Sequence, residues 1–157
     1  MIKINNELLN EVSRQAKKSD RKRKNYNFHY GSQDLLQRML NAMEPETYVR
    51  PHKHVNPDKR EAFIVLRGTI CLIEFDENGE ITDYFVMRAG SGNEGAEITP
   101  GSYHTLISME PGTIIYEIKD GPWDIETDKV FAQWAPEEGS KESKSFILDL
   151  QERIKNY

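Results

Sequence analysis

The sequence predicts a mainly β domain, a sandwich or barrel of antiparallel strands with short helices at its two ends. Three observations carry that expectation. Between about residue 46 and residue 119, short β-type runs follow one another, each closed by turn residues: "TYVRPHKH", "EAFIVLRG", "TICLIEFD", "ITDYFVMR", "AEITPG", "YHTLISME" and "TIIYEIKD". Asn78-Gly79 inside "LIEFDENGEITDYF" is a strong two-residue hairpin signal. Outside this stretch the apolar residues recur at helical spacing instead.

Taken in order, "NNELLNEVSRQAKK" places Leu8, Leu9, Val12 and Ala16 on one helical face, with asparagines available to cap its start. "SQDLLQRMLNAME" repeats the pattern through Leu35, Leu36, Met39, Leu40 and Met43 after Ser32, which predicts a second helix. Residues 1–45 are thus expected to form a helical N-terminal extension, and 46–120 the barrel. Residues 121–157 read as a long loop holding both tryptophans, Trp123 and Trp134, followed by a helix through Phe146, Ile147, Leu150 and Ile154. No repeat or linker divides the chain, and 157 residues suffice for one domain, 1–157, with its own core.

Composition narrows the function classes. The one cysteine, Cys71, sits in an apolar run, which excludes a disulfide framework and points to a buried thiol in a reducing, cytoplasmic setting. No apolar stretch of signal or membrane-spanning length is present, so neither secretion nor a membrane association is expected. Net charge is −5, but residues 1–31 hold eight Lys or Arg against three Asp or Glu, mainly in "KKSDRKRK". The acidic remainder would repel a polyanion, so no nucleic-acid partner is expected. The basic run is read as a solvated stretch or as one serving a small anionic ligand.

The chemistry concentrates in "RPHKHVNPDKREAFIVLRG", residues 50–68. Residues two apart on a strand face one side, so His52 and His54 point together, with Tyr48 and Arg50 on that face if the strand is regular across Pro51. Pro51 marks an edge or rim segment. If the chain reverses in "VNPDKR", Glu61 lies on a strand paired with the histidine strand. His104 follows the turn at Pro100-Gly101. Three imidazoles and one carboxylate suit one divalent transition metal, such as Zn, Fe, Ni or Mn, with one or two coordination positions left open.

These residues resemble the cupin superfamily, in which a His-x-His is followed by a spaced glutamate, then after six intervening residues by a glycine, and downstream by Pro-x-Gly-x-x-His. Glu61 and Gly68 match that spacing, as does Gly101-x-x-His104, whereas the gap from His54 to Glu61 is longer than usual, Thr99 stands at the proline position, and Ser108 replaces a terminal asparagine. Over almost the whole chain, "RKRKNYNFH", "LLQRMLNAMEPETYVRPHKH", "GAEITPGSYHTLISMEPGTIIYEIKDGPWD" and "DKVFAQWAPEEG" resemble the WbuC family of small cupin-fold metalloproteins. Arg60 departs from the aromatic residue usual before the glutamate. The resemblance implies a cupin barrel, a double-stranded β-helix or jelly roll, in a protein often encoded among O-antigen and capsule biosynthesis genes. The family's reaction is not implied.

A small polar substrate, plausibly a sugar or nucleotide-linked sugar, is therefore expected at the metal. Arg50 either pairs with an anionic group of that substrate or holds a loop carboxylate at the rim, and Tyr48 and Asn27 join it as substrate-binding candidates. His29, Tyr103 and Glu117 are the candidate acid–base groups, the alternatives being a structural hydrogen-bonding role for His29 and an ordinary strand-edge charge for Glu117. Phe63 and Val65, on the face of Glu61, either wall the pocket or belong to the core. Trp123 and Trp134 either pack the C-terminal segment onto the barrel or offer a sugar-stacking surface. Three readings stay open: a metal-dependent isomerase or epimerase, an iron-dependent dioxygenase, and a non-catalytic sugar- or metal-binding module. Exposed sheet edges suggest a homodimer.

Overall fold

The structure is a computed structural model and describes residues 1–155. Ten strands form two five-stranded antiparallel sheets among these residues. The first sheet runs β1 (Arg23–Asn27), β2 (Leu36–Met43), β9 (Thr113–Asp120), β4 (Glu61–Arg67), β7 (Gly95–Glu97) across its width. The second runs β10 (Val130–Phe131), β3 (His52–Lys53), β8 (Tyr103–Ser108), β5 (Thr69–Phe75), β6 (Ile81–Arg88). Helix α1 spans Asn6–Lys18 and α2 spans Lys141–Lys155. No helix among the described residues is long and apolar enough to cross a membrane.

Facing sheets bury one side of the central strands, and the period of two decides which. Met43, Phe63, Val65 and Ile115 of the first sheet meet Ile70, Leu72, Met87 and Leu106 of the second, forming the core between the layers. The outer faces are also apolar, and each is covered. Helix α1 lays Leu9, Val12 and Ala16 on Leu40, Ala42 and Ile114 of the first sheet. Helix α2 brings Leu150 and Ile154 to Cys71, Ile73, Phe75, Tyr103 and Ile107 of the second, with Trp134 and Phe146 wedged alongside. Trp134 thus packs the C-terminal segment onto the barrel, whereas Trp123 is 39% exposed. Burial pushes the Cys71 thiol up to about 12, so it is an inert part of this core.

The first helix begins where the sequence places it, capped by Asn5, whose side chain accepts from the Leu8 amide at 3.1 Å. The second expected helix does not form. Residues 36–43 are β2, paired with β1 on one side and with β9 on the other. Its run of apolar residues arises because the strand is buried on both faces, Met39 and Met43 inward, Leu40 and Ala42 under α1. Such a strand loses its alternation and mimics helical spacing. The barrel accordingly extends in sequence from Arg23 to Phe131 rather than over 46–120, and residues 1–45 hold one helix and two strands. Strands β1 and β10 carry no apolar alternation, burying little on either face.

The hairpin between β5 and β6 turns at Asn78-Gly79, where the Asp76 carboxylate accepts from the Asn78 and Glu80 amides. Gly68, between β4 and β5, has φ +76, and a Cβ there would lie 2.4 Å from Thr113 Oγ1 and 2.9 Å from Thr113 Cα. Both the left-handed backbone and the close approach require glycine. Gly68→Ala is expected to cost about 2 kcal/mol or more, read as a lower urea midpoint with an unchanged slope.

Candidate metal centre

The end of the sandwich opposite the packed core is polar. His52 and His104 are directly opposed on β3 and β8, so they face the same side, the gap between the sheets. His54 follows one residue past the end of β3, and its ring lies 5.1 Å from that of His52 and 5.6 Å from that of His104, centroid to centroid. Glu61 opens β4 in the other sheet. The histidine strand and the glutamate strand are therefore not hydrogen-bonded neighbours, contrary to the hairpin expectation. They belong to opposite layers, and the four side chains meet across the interior. One ligand atom from each lies within 4.8 Å of the others, and all four residues are buried. Metal–ligand bonds are about 2.0–2.2 Å long, so side-chain movements would bring the four donors onto one ion.

The long gap between His54 and Glu61 has a structural content. It carries Lys59 inward, where its ammonium meets Asp128 Oδ1 at 2.7 Å and the Pro122 carbonyl at 2.5 Å. Asp128 Oδ2 accepts from Lys119 at 2.7 Å, and the Asp128 backbone carbonyl accepts from His54 Nδ1 in a short hydrogen bond. The loop after β9 thus supplies a buried Lys59–Asp128–Lys119 group that fixes the His54 ring. Burial raises the Asp128 pKa, but the two ammonium groups outweigh it and hold the carboxyl below its ordinary range. The sequence reading missed this support, since its residues lie in a loop without periodicity.

The tautomers follow from the remaining partners. His52 Nδ1 faces the Arg50 carbonyl at 2.9 Å and His104 Nδ1 faces the Ser102 carbonyl at 3.0 Å. A carbonyl only accepts, so all three rings donate from Nδ1 and turn Nε2 toward the centre. His54 Nε2 is 3.1 Å from Glu61 Oε2. His104 Nε2 lies 3.2 Å from the same oxygen but without hydrogen-bond alignment, and it is a buried nitrogen with no partner among the described residues. Three pre-oriented Nε2 atoms, one of them orphaned, around a carboxylate fit a divalent transition metal. Burial drives the His52 pKa well below its ordinary value, with Lys129 and His104 adding to the effect, so this ring is neutral and available as a ligand. Burial raises Glu61, and the charge of Lys119 acts against it.

The cluster forms the floor of a cavity of about 580 Å³, whose walls include Asn41, Phe63, Glu117 and Lys129 and whose rim includes Asn25 and Asn27. Glu117 faces inward from β9, paired with Phe63 on one side and Met39 on the other. Burial and the neighbouring charge of Glu61, partly countered by Lys119, push its pKa up to about 7. Asn41 Nδ2 donates to Glu117 Oε2 at 3.2 Å, while Asn41 Oδ1 is buried without a donor among the described residues. Val65 lies in the core rather than the cavity.

Other candidate residues lie elsewhere. Tyr103 precedes His104 on β8 and so faces the opposite side, packed against Trp134 and beneath the Lys53 ammonium at 4.4 Å. The strand is not regular across Pro51: Val49 lines the cavity, whereas the Tyr48 hydroxyl donates to the Pro136 carbonyl at 2.7 Å. Arg50 donates to the Ala132 carbonyl at 3.1 Å and stacks on Phe131. His29 accepts from the Arg38 amide at 3.1 Å and lines a neighbouring depression with Tyr30, Trp123, Asn25 and Asn27.

Fold and donor set together define a cupin jelly roll with a buried His/Glu group able to hold a metal ion. The chain belongs to the family described as a domain of unknown function, DUF6016, whose model matches residues 4–87. Among solved structures it is similar to the capsular polysaccharide assembling protein CapF from Staphylococcus aureus, with 18% identity, a TM-score of 0.56, and coverage of 72% of this chain and 30% of that one. A mutant of oxalate decarboxylase from Bacillus subtilis has 14% identity and a TM-score of 0.51, with coverage of 71% and 28%. The chain thus spans less than a third of either solved chain, and the likeness is one of fold. No curated protein matches it.

Proposed function

We propose that the protein is a metal-dependent isomerase or epimerase of a small, hydroxyl-rich metabolite such as a sugar or nucleotide-linked sugar. The likeness to the WbuC family implies a setting in cytoplasmic surface-polysaccharide assembly, and the fold shared with a capsular polysaccharide assembling protein agrees with it. The observation that carries the reading is Glu117, a carboxyl with its pKa pushed up to about 7, on the wall of the cavity floored by the metal-ligand cluster. Isomerisation next to a carbonyl needs a base that takes a proton from carbon and returns it, and such a base works best with a pKa near the operating pH.

His52, His54, Glu61 and His104 would hold the ion, and a bound divalent cation supplies polarisation of a substrate carbonyl. The chain's own residues do the rest. Glu117 takes and returns the proton. Asn41 holds Glu117 through Nδ2 and presents Oδ1 to a substrate hydroxyl. Phe63 makes one wall apolar and keeps bulk water from the carboxyl.

The test is deuterium incorporation from D₂O into carbon positions of a panel of sugars and nucleotide sugars, followed by mass spectrometry. Wild-type protein is expected to exchange its substrate, and Glu117→Gln to lose about 10²- to 10⁴-fold with metal content unchanged. Ligand-induced thermal stabilisation with no exchange for any compound would instead support a binding module. Oxygen-dependent turnover by iron-loaded protein would support the dioxygenase.

A further inference from the structure

The basic run near the N-terminus acquires a place in the fold. It leads into and forms β1, the edge strand at the cavity mouth. Arg21, Arg23 and Lys24 from this run line the cavity, with Lys129 on the wall. Among the described residues two carboxylates share that lining, Glu61 and Glu117. Glu61 is turned to the histidine cluster, and Glu117 is held by Asn41, whose Nδ2 donates to Glu117 Oε2 at 3.2 Å. Such a concentration of cations runs against a chain whose net charge is −5.

Local partners do not balance it. Arg21 and Arg23 converge on one carboxylate, Glu138, at 2.6 Å and 2.8 Å. Two guanidinium groups thus share one negative charge. Lys24 is exposed on β1. Lys129 lines the cavity without an ion pair of its own among the described residues, although the charges of Glu61, Glu117 and Asp128 reach it. The loop between Asp128 and β10 presents it inward, since Asp128 is anchored to Lys59 and Lys119, and β10 is paired with β3. A divalent ion on the cavity floor would add to the surplus. Such a pocket attracts oxyanions, repels cations and has no net charge attraction for a neutral ligand, and the effect is strongest where bulk water is excluded.

We propose that the cavity takes a phosphoryl-bearing substrate, with Lys129 inside and Lys24 at the lip as its cationic contacts. The inference rests on the metal-dependent reading above and deepens it: the sugar or other polyol would enter with a phosphate ester or diphosphate attached. Arg21 and Arg23 keep their shared carboxylate and add field rather than contact.

The experiment is isothermal titration of uridine diphosphate, glucose 1-phosphate, glucuronate and glucose into wild type, Lys24→Gln and Lys129→Gln. Each protein is used as purified and again after chelator treatment and exchange into chelator-free buffer. The phosphoryl compounds are expected to bind wild type, with glucose undetectable at the same concentrations. Each substitution is expected to weaken that binding roughly tenfold, the scale of one charge-assisted hydrogen bond, and raised salt to weaken it further. Equal binding of glucose, a preference for glucuronate, or phosphoryl binding indifferent to both substitutions would overturn the proposal. Chelator-treated protein separates the two readings. If wild type proves to bind no metal, the metal-dependent function falls, while the lysine dependence measured without metal still decides the phosphoryl site.

Discussion

His52→Ala and His104→Ala are each expected to abolish metal retention, taking the protein from about one ion per chain to a trace in elemental analysis. Each substitution removes one of four donors and leaves Glu61 buried beside a void, so the remaining group binds weakly and at a strained separation. Stability reports the same loss. A ligand at a thousand times its Kd stabilises the folded state by about 4 kcal/mol, so chelator is expected to lower the melting temperature of the wild type by several degrees and to leave both variants unmoved. Tyr103→Phe is the matched control. It lies one residue from His104, on the opposite face of β8, and metal content should not change. Full metal retention by both alanine variants would dismantle the proposed centre.

Asp128→Ala should destabilise the fold by about 3–5 kcal/mol. Its carboxylate is 2% exposed and is the shared partner of two buried ammonium groups, at 2.7 Å each. Removing it leaves Lys59 and Lys119 desolvated side by side, and their mutual repulsion adds to the lost pairing. The triple variant Lys59→Met, Asp128→Leu, Lys119→Met is expected to recover most of the stability, since an apolar group of similar volume replaces a buried ionic one. The two should part in metal affinity. The triple variant, though stable, loses the loop anchoring that presents the Asp128 carbonyl to His54, and a defect of about 10- to 100-fold is expected. Chemical denaturation and competition with a chromophoric chelator measure the two effects separately.

How much of this was legible beforehand depends on the kind of signal each residue leaves. His52, His54, Glu61 and His104 were readable because side-chain chemistry and strand parity survive ignorance of the fold. Which sheet Glu61 occupies was not readable, because a turn-rich connector of six residues allows either a hairpin or a crossing between layers. Strand β2 was misread because burial on both faces erases alternation. Tyr48 and Arg50 were placed with the histidines by assuming regular geometry across Pro51, and the chain flips there. Glu117 could be found on parity alone, but its raised pKa depends on Glu61, which arrives from another strand. Lys59, Asp128 and Lys129 left no trace, since loops carry no period and an ion pair formed between distant segments has no local signature.

The donors are divided between the layers: three imidazoles on or beside the strands of one sheet and one carboxylate on the other. A cation held there would be a rivet through two plates, clamping the end where no apolar core holds them. Backbone amides of β3 and of the start of β4 should therefore be the first to lose protection when the ion is stripped, while those around Ile70 and Ile115 keep theirs.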